Sequence, residues 1–281
     1  MSNGLVTTQW LEDHLGSPDI AVIDASWHLP ASGRSAKAEF AAARIPGSQF
    51  FDIDELSDTT STLPHMLPSP EKFSSRMRKM GIGDGKKVIA YDGAGLFSAA
   101  RAWWMFKVFG HEDVAVLDGG FPKWQAEGRP VDEEPPLKPQ ERHFTSRFQS
   151  LLLRDKADVA EALKQGTAQI ADARSPTRFR GEEAEPRAGV RAGHMPGARN
   201  VHYSSLLKPD GTLKSPEALA ATFAAAGIDP AKPVITSCGS GVTAAILTLA
   251  LTQIGAKNHA LYDGSCTEWG GDPDSPVVIG P

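Results

Sequence analysis

Four segments of the first half of this chain recur, in the same order, in the second half. Val22-Ile23-Asp24-Ala25-Ser26 matches Ile170-Ala171-Asp172-Ala173-Arg174, and Arg44-Ile45-Pro46-Gly47-Ser48 matches His194-Met195-Pro196-Gly197-Ala198. Val88-Ile89-Ala90-Tyr91-Asp92-Gly93-Ala94-Gly95 matches Val234-Ile235-Thr236-Ser237-Cys238-Gly239-Ser240-Gly241. Leu117-Asp118-Gly119-Gly120 with Trp124 matches Tyr262-Asp263-Gly264-Ser265 with Trp269. The offsets all fall at about 145 to 150 residues, so the chain is a duplication rather than a set of chance likenesses. Two similar domains follow, and the chemistry must lie where the copies differ.

Between the halves, Gly128 to Gln140 holds four prolines among several charges, the composition of an exposed linker. The boundary is expected near residues 140 to 150, with domains 1–140 and 146–281 and a linker over about 128–145. Each half alternates short apolar runs with helical stretches. In the first, Ile20 to Asp24, Val88 to Tyr91 and Val114 to Leu117 read as strands, and Pro70 to Met80 and Trp103 to Phe109 as helices. This alternation predicts an α/β fold: in each half, a parallel sheet with helices on both faces. Ligands of such sheets bind beyond the carboxyl ends of the strands.

Cys238 sits at such an end. Val234 to Thr236 is a short β-branched run, Cys238 to Gly241 a turn of small residues, and the stretch from Thr243 a nearly all-apolar helix. A helix N-terminus offers free N–H groups and a positive dipole end, which favour thiolate over thiol. Gly239 and Gly241 let the backbone curl until several N–H groups converge, an anion nest completed by Val242 and Thr243. A cysteine used only for packing would not need these glycines. The first half has Asp92 at the matching position, so the second half is expected to be catalytic and the first not.

Composition narrows the partners. With 281 residues, 41% hydrophobic and 22% charged, the chain is globular. A net charge of −5 argues against nucleic acid or an anionic membrane surface. No apolar run reaches membrane-spanning length, and the start Met1 to Trp10 lacks the pattern of a secretory leader. Only Cys238 and Cys266 are present, without a CxxC pair, so neither a disulfide framework nor a Cys-rich zinc site is expected, and a reducing cytoplasm fits. The histidines show no metal-ligand spacing; His194 belongs to a structural turn. Cys266, in a loop with no glycine nest, reads as incidental, with a resolving thiol the alternative.

The duplicated α/β halves, Asp172-Ala173-Arg174, His194-Met195-Pro196-Gly197-Ala198 and the cysteine loop together resemble the tandem rhodanese-type sulfurtransferases over essentially the whole chain. The run Cys238-Gly239-Ser240-Gly241-Val242-Thr243 is most similar to that of the 3-mercaptopyruvate sulfurtransferases. The resemblance implies two rhodanese-like domains, no metal or organic cofactor, and a small-molecule sulfur donor. Sulfur would pass through a Cys238 persulfide to a thiol such as thioredoxin or a small dithiol, or to cyanide, with release of pyruvate. It also implies that Arg178 of the Arg-Phe pair and Arg187 of the Glu-Pro-Arg triplet hold the donor carboxylate and keto oxygen. Arg180 and Arg191 fall outside the match and are expected in solvent. From the first half the resemblance brings Asp54 and His65, which would relay a proton to Ser240 or to the leaving enolate; a polar contact between halves is the alternative.

Thiosulfate-preferring relatives carry basic residues directly after the cysteine, where this chain has Gly239 and Ser240. A dianionic donor would lose two charged hydrogen bonds, each about 1.5–3 kcal/mol. Mercaptopyruvate is therefore the expected donor and thiosulfate the alternative. A cysteine phosphatase would need arginine where Ala244 stands, and a non-catalytic carrier module would have no use for the cysteine and both arginines.

Overall fold

The computed structural model describes residues 4–136 and 138–281. Met1 to Asn3, read above for a leader, and Leu137 of the linker lie outside the described residues. The chain divides into two compact units. The first comprises Met1–Thr59, Leu67–Gln149 and Lys208–Leu213, and the second Thr60–Met66, Ser150–Leu207 and Lys214–Pro281. His65 thus belongs to the second unit, although its segment lies in the first half of the sequence.

The first unit holds β1 (Leu5–Val6), β2 (Ile20–Asp24), β3 (Gln49–Phe50), β4 (Lys87–Tyr91) and β5 (Val114–Leu117) in the order β1-β5-β4-β2-β3. All pairs are parallel. The second holds β6 (Leu153–Arg154), β7 (Gln169–Asp172), β8 (Arg199–Asn200), β9 (Val234–Ser237) and β10 (His259–Tyr262) in the order β6-β10-β9-β7-β8, again all parallel. Strand for strand the two orders are the same, so the repeat in sequence is a repeat in topology.

Helices flank both sheets, which is why the central strands are buried on both faces: all four residues of β9 are buried, as are all four of β5. The helix Ala244–Gln253, entered from the cysteine loop, buries every residue from Ala244 to Leu251. A helix apolar on all sides is an interior helix, and it fixes the loop that feeds it. Its counterpart runs Ala99–Val108, four residues earlier than the apolar pattern alone indicates, because the small residues Ala99, Ala100 and Ala102 are buried with it.

In the second unit Val159, Ile170, Phe179, Met195, Ile235, Tyr262 and Trp269 form one core cluster. In the first, Leu11, Ile45, Ile89, Tyr91, Leu117 and Trp124 do the same. Short helices begin at Ser-Pro pairs: the Ser69, Ser175 and Ser215 hydroxyls each accept an N–H of the first turn, with proline next. Among the described residues no helix is long and apolar enough to cross a membrane.

Candidate active site

In the second unit the connections diverge between β9 and β7, one leading outward through β10 and the other through β8. That is the switch point of an open parallel sheet, where a crevice forms beyond the carboxyl ends. Cys238 follows β9 on one side; on the other, Asp172 ends β7, and Arg174 and Arg178 follow it.

The cysteine loop is held from behind. Ser265 Oγ accepts the Cys238 N–H at 3.2 Å. The Cys238 carbonyl accepts the Cys266 N–H at 3.0 Å, and the Gly239 carbonyl accepts the Thr267 N–H at 2.9 Å and its hydroxyl at 2.6 Å. In a trans peptide the next N–H points opposite to the carbonyl, so the Gly239 and Ser240 N–H groups face away from these anchors. Those two amides, with those of Val242 and Thr243, have no hydrogen-bond partner among the described residues. Gly241 takes the left-handed turn at φ 77°, which a side chain would resist. Gly239 does not need positive φ; a Cβ there would come within 3.0 Å of Arg178 Nη2. Its small size makes room for the arginine.

The first unit shows what such a loop does to an anion. At the position matching Cys238, Asp92 Oδ2 accepts the N–H groups of Phe97, Ser98 and Ala99 at 2.8–2.9 Å, and Oδ1 that of Ala94 at 2.9 Å. There the nest is filled by the chain's own carboxylate; in the second unit the corresponding side chain is a thiol, 2% exposed.

His65 Nδ1 lies 3.0 Å from Ser240 Oγ and 3.3 Å from the Ser240 carbonyl. With Nδ1 unprotonated, the serine hydroxyl donates to the ring; once protonated, Nδ1 donates back to the hydroxyl or the carbonyl. Among the described residues only His65 (φ 62°) and Ser265 (φ 50°) have left-handed backbone without being glycine, and both touch this loop. Backbone strain of this kind persists only where surrounding contacts over-determine it.

Arg178 follows the Ser175 cap by one turn. Its Nε and Nη2 donate to Glu185 at 3.3 and 2.5 Å, leaving the Nη1 edge without a partner among the described residues. Arg187 is half-buried in the same irregular segment. Asp54 belongs to the first unit, where Oδ2 accepts the Trp27 Nε1–H at 3.1 Å. Arg180 pairs with Glu182, as a surface arginine would. Arg191 is exposed, as expected, and its guanidinium also ties down the carbonyls of Gly270, Asp272 and Ser275. His194 stacks on Phe179 at 3.7 Å and bonds its carbonyl, which is structural.

The family model for the rhodanese-like domain matches residues 7–127 and 155–272. The chain belongs to the rhodanese-like family. It is 45% identical over 273 residues to the 3-mercaptopyruvate sulfurtransferase of Escherichia coli K12, covering 97% of this chain and 96% of that protein. It is 40% identical over 296 residues to the mitochondrial thiosulfate/3-mercaptopyruvate sulfurtransferase 1 of Arabidopsis thaliana, covering 98% and 78%. The crystal structure of SseA, a 3-mercaptopyruvate sulfotransferase from Escherichia coli, superimposes with a TM-score of 0.86 at 42% identity, covering 94% of this chain and 99% of that one.

Several groups around this rhodanese-like loop were not singled out in the sequence. Ser265 and Thr267 are 27 and 28 residues from the backbone they anchor, with no motif to mark them. Glu185 was visible only as part of the Glu-Pro-Arg triplet. Cys266, read as a loop residue, lies instead in the helix Ser265–Gly271, buried, with Sγ 3.6 Å from Asp172 Oδ2. Burial pushes its thiol well above the ordinary cysteine range; Arg174 pulls the other way, and Asp172 and Glu185 add to the rise.

Proposed function

We propose that this protein is a 3-mercaptopyruvate sulfurtransferase whose second unit carries the chemistry. The observation that carries this reading is the cysteine loop itself: Gly239 and Ser240 stand where a dianionic donor would need cations, and the Arg178 guanidinium packs against Gly239 through Nη2, the nitrogen that Glu185 also holds. An arginine edge is suited to one carboxylate, which it can hold with two parallel hydrogen bonds.

In the proposed reaction the Cys238 thiolate attacks the sulfur of 3-mercaptopyruvate. The sulfur–sulfur bond forms as the carbon–sulfur bond breaks, and the carbon fragment leaves as the pyruvate enolate. The partnerless N–H groups of Gly239, Ser240, Val242 and Thr243, with Gly241 making the turn, hold the anionic sulfur. Arg178 and Arg187 hold the carboxylate and keto oxygen. Ser240 and His65 carry the proton that converts enolate to pyruvate, an assignment supported by their 3.0 Å contact. Asp54 enters this relay on sequence resemblance alone. An acceptor thiol, thioredoxin or a small dithiol, then attacks the outer sulfur of the persulfide and frees Cys238. The first unit, with Asp92 in the matching nest, is the non-catalytic partner domain. The proposed setting is the cytoplasm, where acceptor thiols stay reduced.

Thiosulfate is the second reading, favoured by the two-donor name of the Arabidopsis relative. The test is kcat/KM for each donor with one common thiol acceptor. A clear preference for mercaptopyruvate supports the proposal, and a preference for thiosulfate overturns it.

A further inference from the structure

A chain of ion pairs runs from the end of β7 to the cysteine loop. Asp172 binds Arg174 at 2.6 Å, Arg174 Nη1 reaches Glu185 Oε1 at 2.7 Å, and Glu185 Oε2 takes Arg178 Nη2 at 2.5 Å. Two carboxylates and two guanidinium groups cancel, so this cluster has no net charge. Glu185 is its hinge, because it alone bonds both arginines. Its side chain is 4% exposed and that of Arg178 17%. Solvent therefore screens the Glu185 charge poorly, and a donor anion lying on the open edge of Arg178 feels both partners.

We propose that Glu185 is a specificity-determining residue: by neutralising the arginine beside the cysteine loop, it matches the site to a singly charged donor and against a dianionic one. The proposal rests on the donor reading above. A lone arginine here would attract a dianion most strongly. With Glu185 bonded to its inner edge, Arg178 keeps the geometry for one carboxylate, while the cluster adds no positive charge to that of Arg187, the other arginine proposed to hold the donor. Glu185 also aims the guanidinium: with Nε and Nη2 engaged, the Nη1 edge is the one presented. The residue acts through Arg178 rather than on the reacting atoms.

Two conservative variants separate charge from shape. Glu185→Gln keeps the size and one acceptor but leaves the cluster with one surplus positive charge. Glu185→Asp keeps the charge but shortens the reach. The ratio of kcat/KM for thiosulfate to that for mercaptopyruvate should rise about tenfold or more in Glu185→Gln, chiefly through a lower KM for thiosulfate. In Glu185→Asp the ratio should stay within about threefold of the parent while kcat falls. Equal shifts in both variants, or an unchanged ratio in a folded Glu185→Gln protein, overturn the proposal.

A comparison on the unmodified protein decides the matter even if Glu185→Gln does not fold. Sulfate and methanesulfonate are near-isosteric and differ by one charge. With whichever donor turns over, methanesulfonate should inhibit at least as strongly as sulfate; sulfate as the stronger inhibitor contradicts the role given to Glu185. Absence of mercaptopyruvate turnover in the parent would instead reject the donor reading, which is a separate result.

Discussion

His65 Nδ1 sits 3.0 Å from Ser240 Oγ, two residues after the cysteine that begins the loop. The contact joins residues 175 apart in sequence, and His65 meets it with a strained backbone, φ 62°. In the proposed relay, each group is needed for the other to move a proton. His65→Ala and Ser240→Ala should therefore each lower kcat for pyruvate release about tenfold to a hundredfold. The double variant should be little worse than the poorer single one, because the groups act as a unit. Additive losses would mean that the two residues work independently.

Gly239→Ala tests the packing of Arg178. The new Cβ would lie 3.0 Å from Nη2, so the guanidinium must give by a few tenths of an ångström. KM for mercaptopyruvate should rise about threefold to tenfold with kcat nearly unchanged, since orientation of the bound carboxylate is lost and not the nucleophile. A Gly239→Arg, Ser240→Lys double variant, which would put two cations beside the cysteine for thiosulfate, would meet the same neighbour, Arg178. Steady-state kinetics of the alanine variant decide it, and a fall in kcat at constant KM would count against this role for Gly239.

Cys266 is buried beside Asp172, and burial holds it as a thiol far above the ordinary range. A thiol is a poor nucleophile. Cys266→Ser should leave kcat/KM within about threefold of the parent, and iodoacetamide at neutral pH should label Cys238 first. Mass mapping of the alkylated peptides checks this; early labelling of Cys266 would point to a redox role.

Asp24, the counterpart of Asp172 in the first unit, has no arginine two residues on; Ser26 stands there. Burial, aided by the charge of Asp92 and opposed by bonds from Ser26, raises its carboxyl from 3.8 to about 6. The folded state then keeps the proton longer than the unfolded chain does. The resulting stabilisation is complete below pH 3.8 and is lost as pH rises through about 6. Asp24→Asn, whose amide oxygen can still accept the Ser26 N–H, should be more stable than the parent by about 1–3 kcal/mol at pH 7, with the difference shrinking toward pH 4. Tm measured across that range is the readout; a difference that does not vary with pH would contradict the shift.

The duplication, the sheet of each half and the cysteine loop were legible because each is written locally. Val234 to Thr236 is β-branched, Gly241 marks the left-handed turn, and Ala244 to Leu251 is nearly all apolar. The support of the loop was not legible. Ser265 reaches the Cys238 N–H across the β9–β10 crossover, and only the fold brings them together. Glu185 meets Arg178 through an irregular segment with no helical or strand period to predict the pairing. His65 was assigned to the first half because it lies there in sequence, yet its short segment is part of the second unit, where its ring meets Ser240.

The central claim is that Cys238 takes sulfur from 3-mercaptopyruvate as a persulfide. The protein should be mixed with this donor and no acceptor, then followed for pyruvate and mapped by intact-mass and peptide analysis. One sulfur atom per chain, located on Cys238, with one equivalent of pyruvate released, is the predicted result, and Cys238→Ser should yield neither while remaining folded. Sulfur found mainly on Cys266, or pyruvate released catalytically by folded Cys238→Ser, would contradict it.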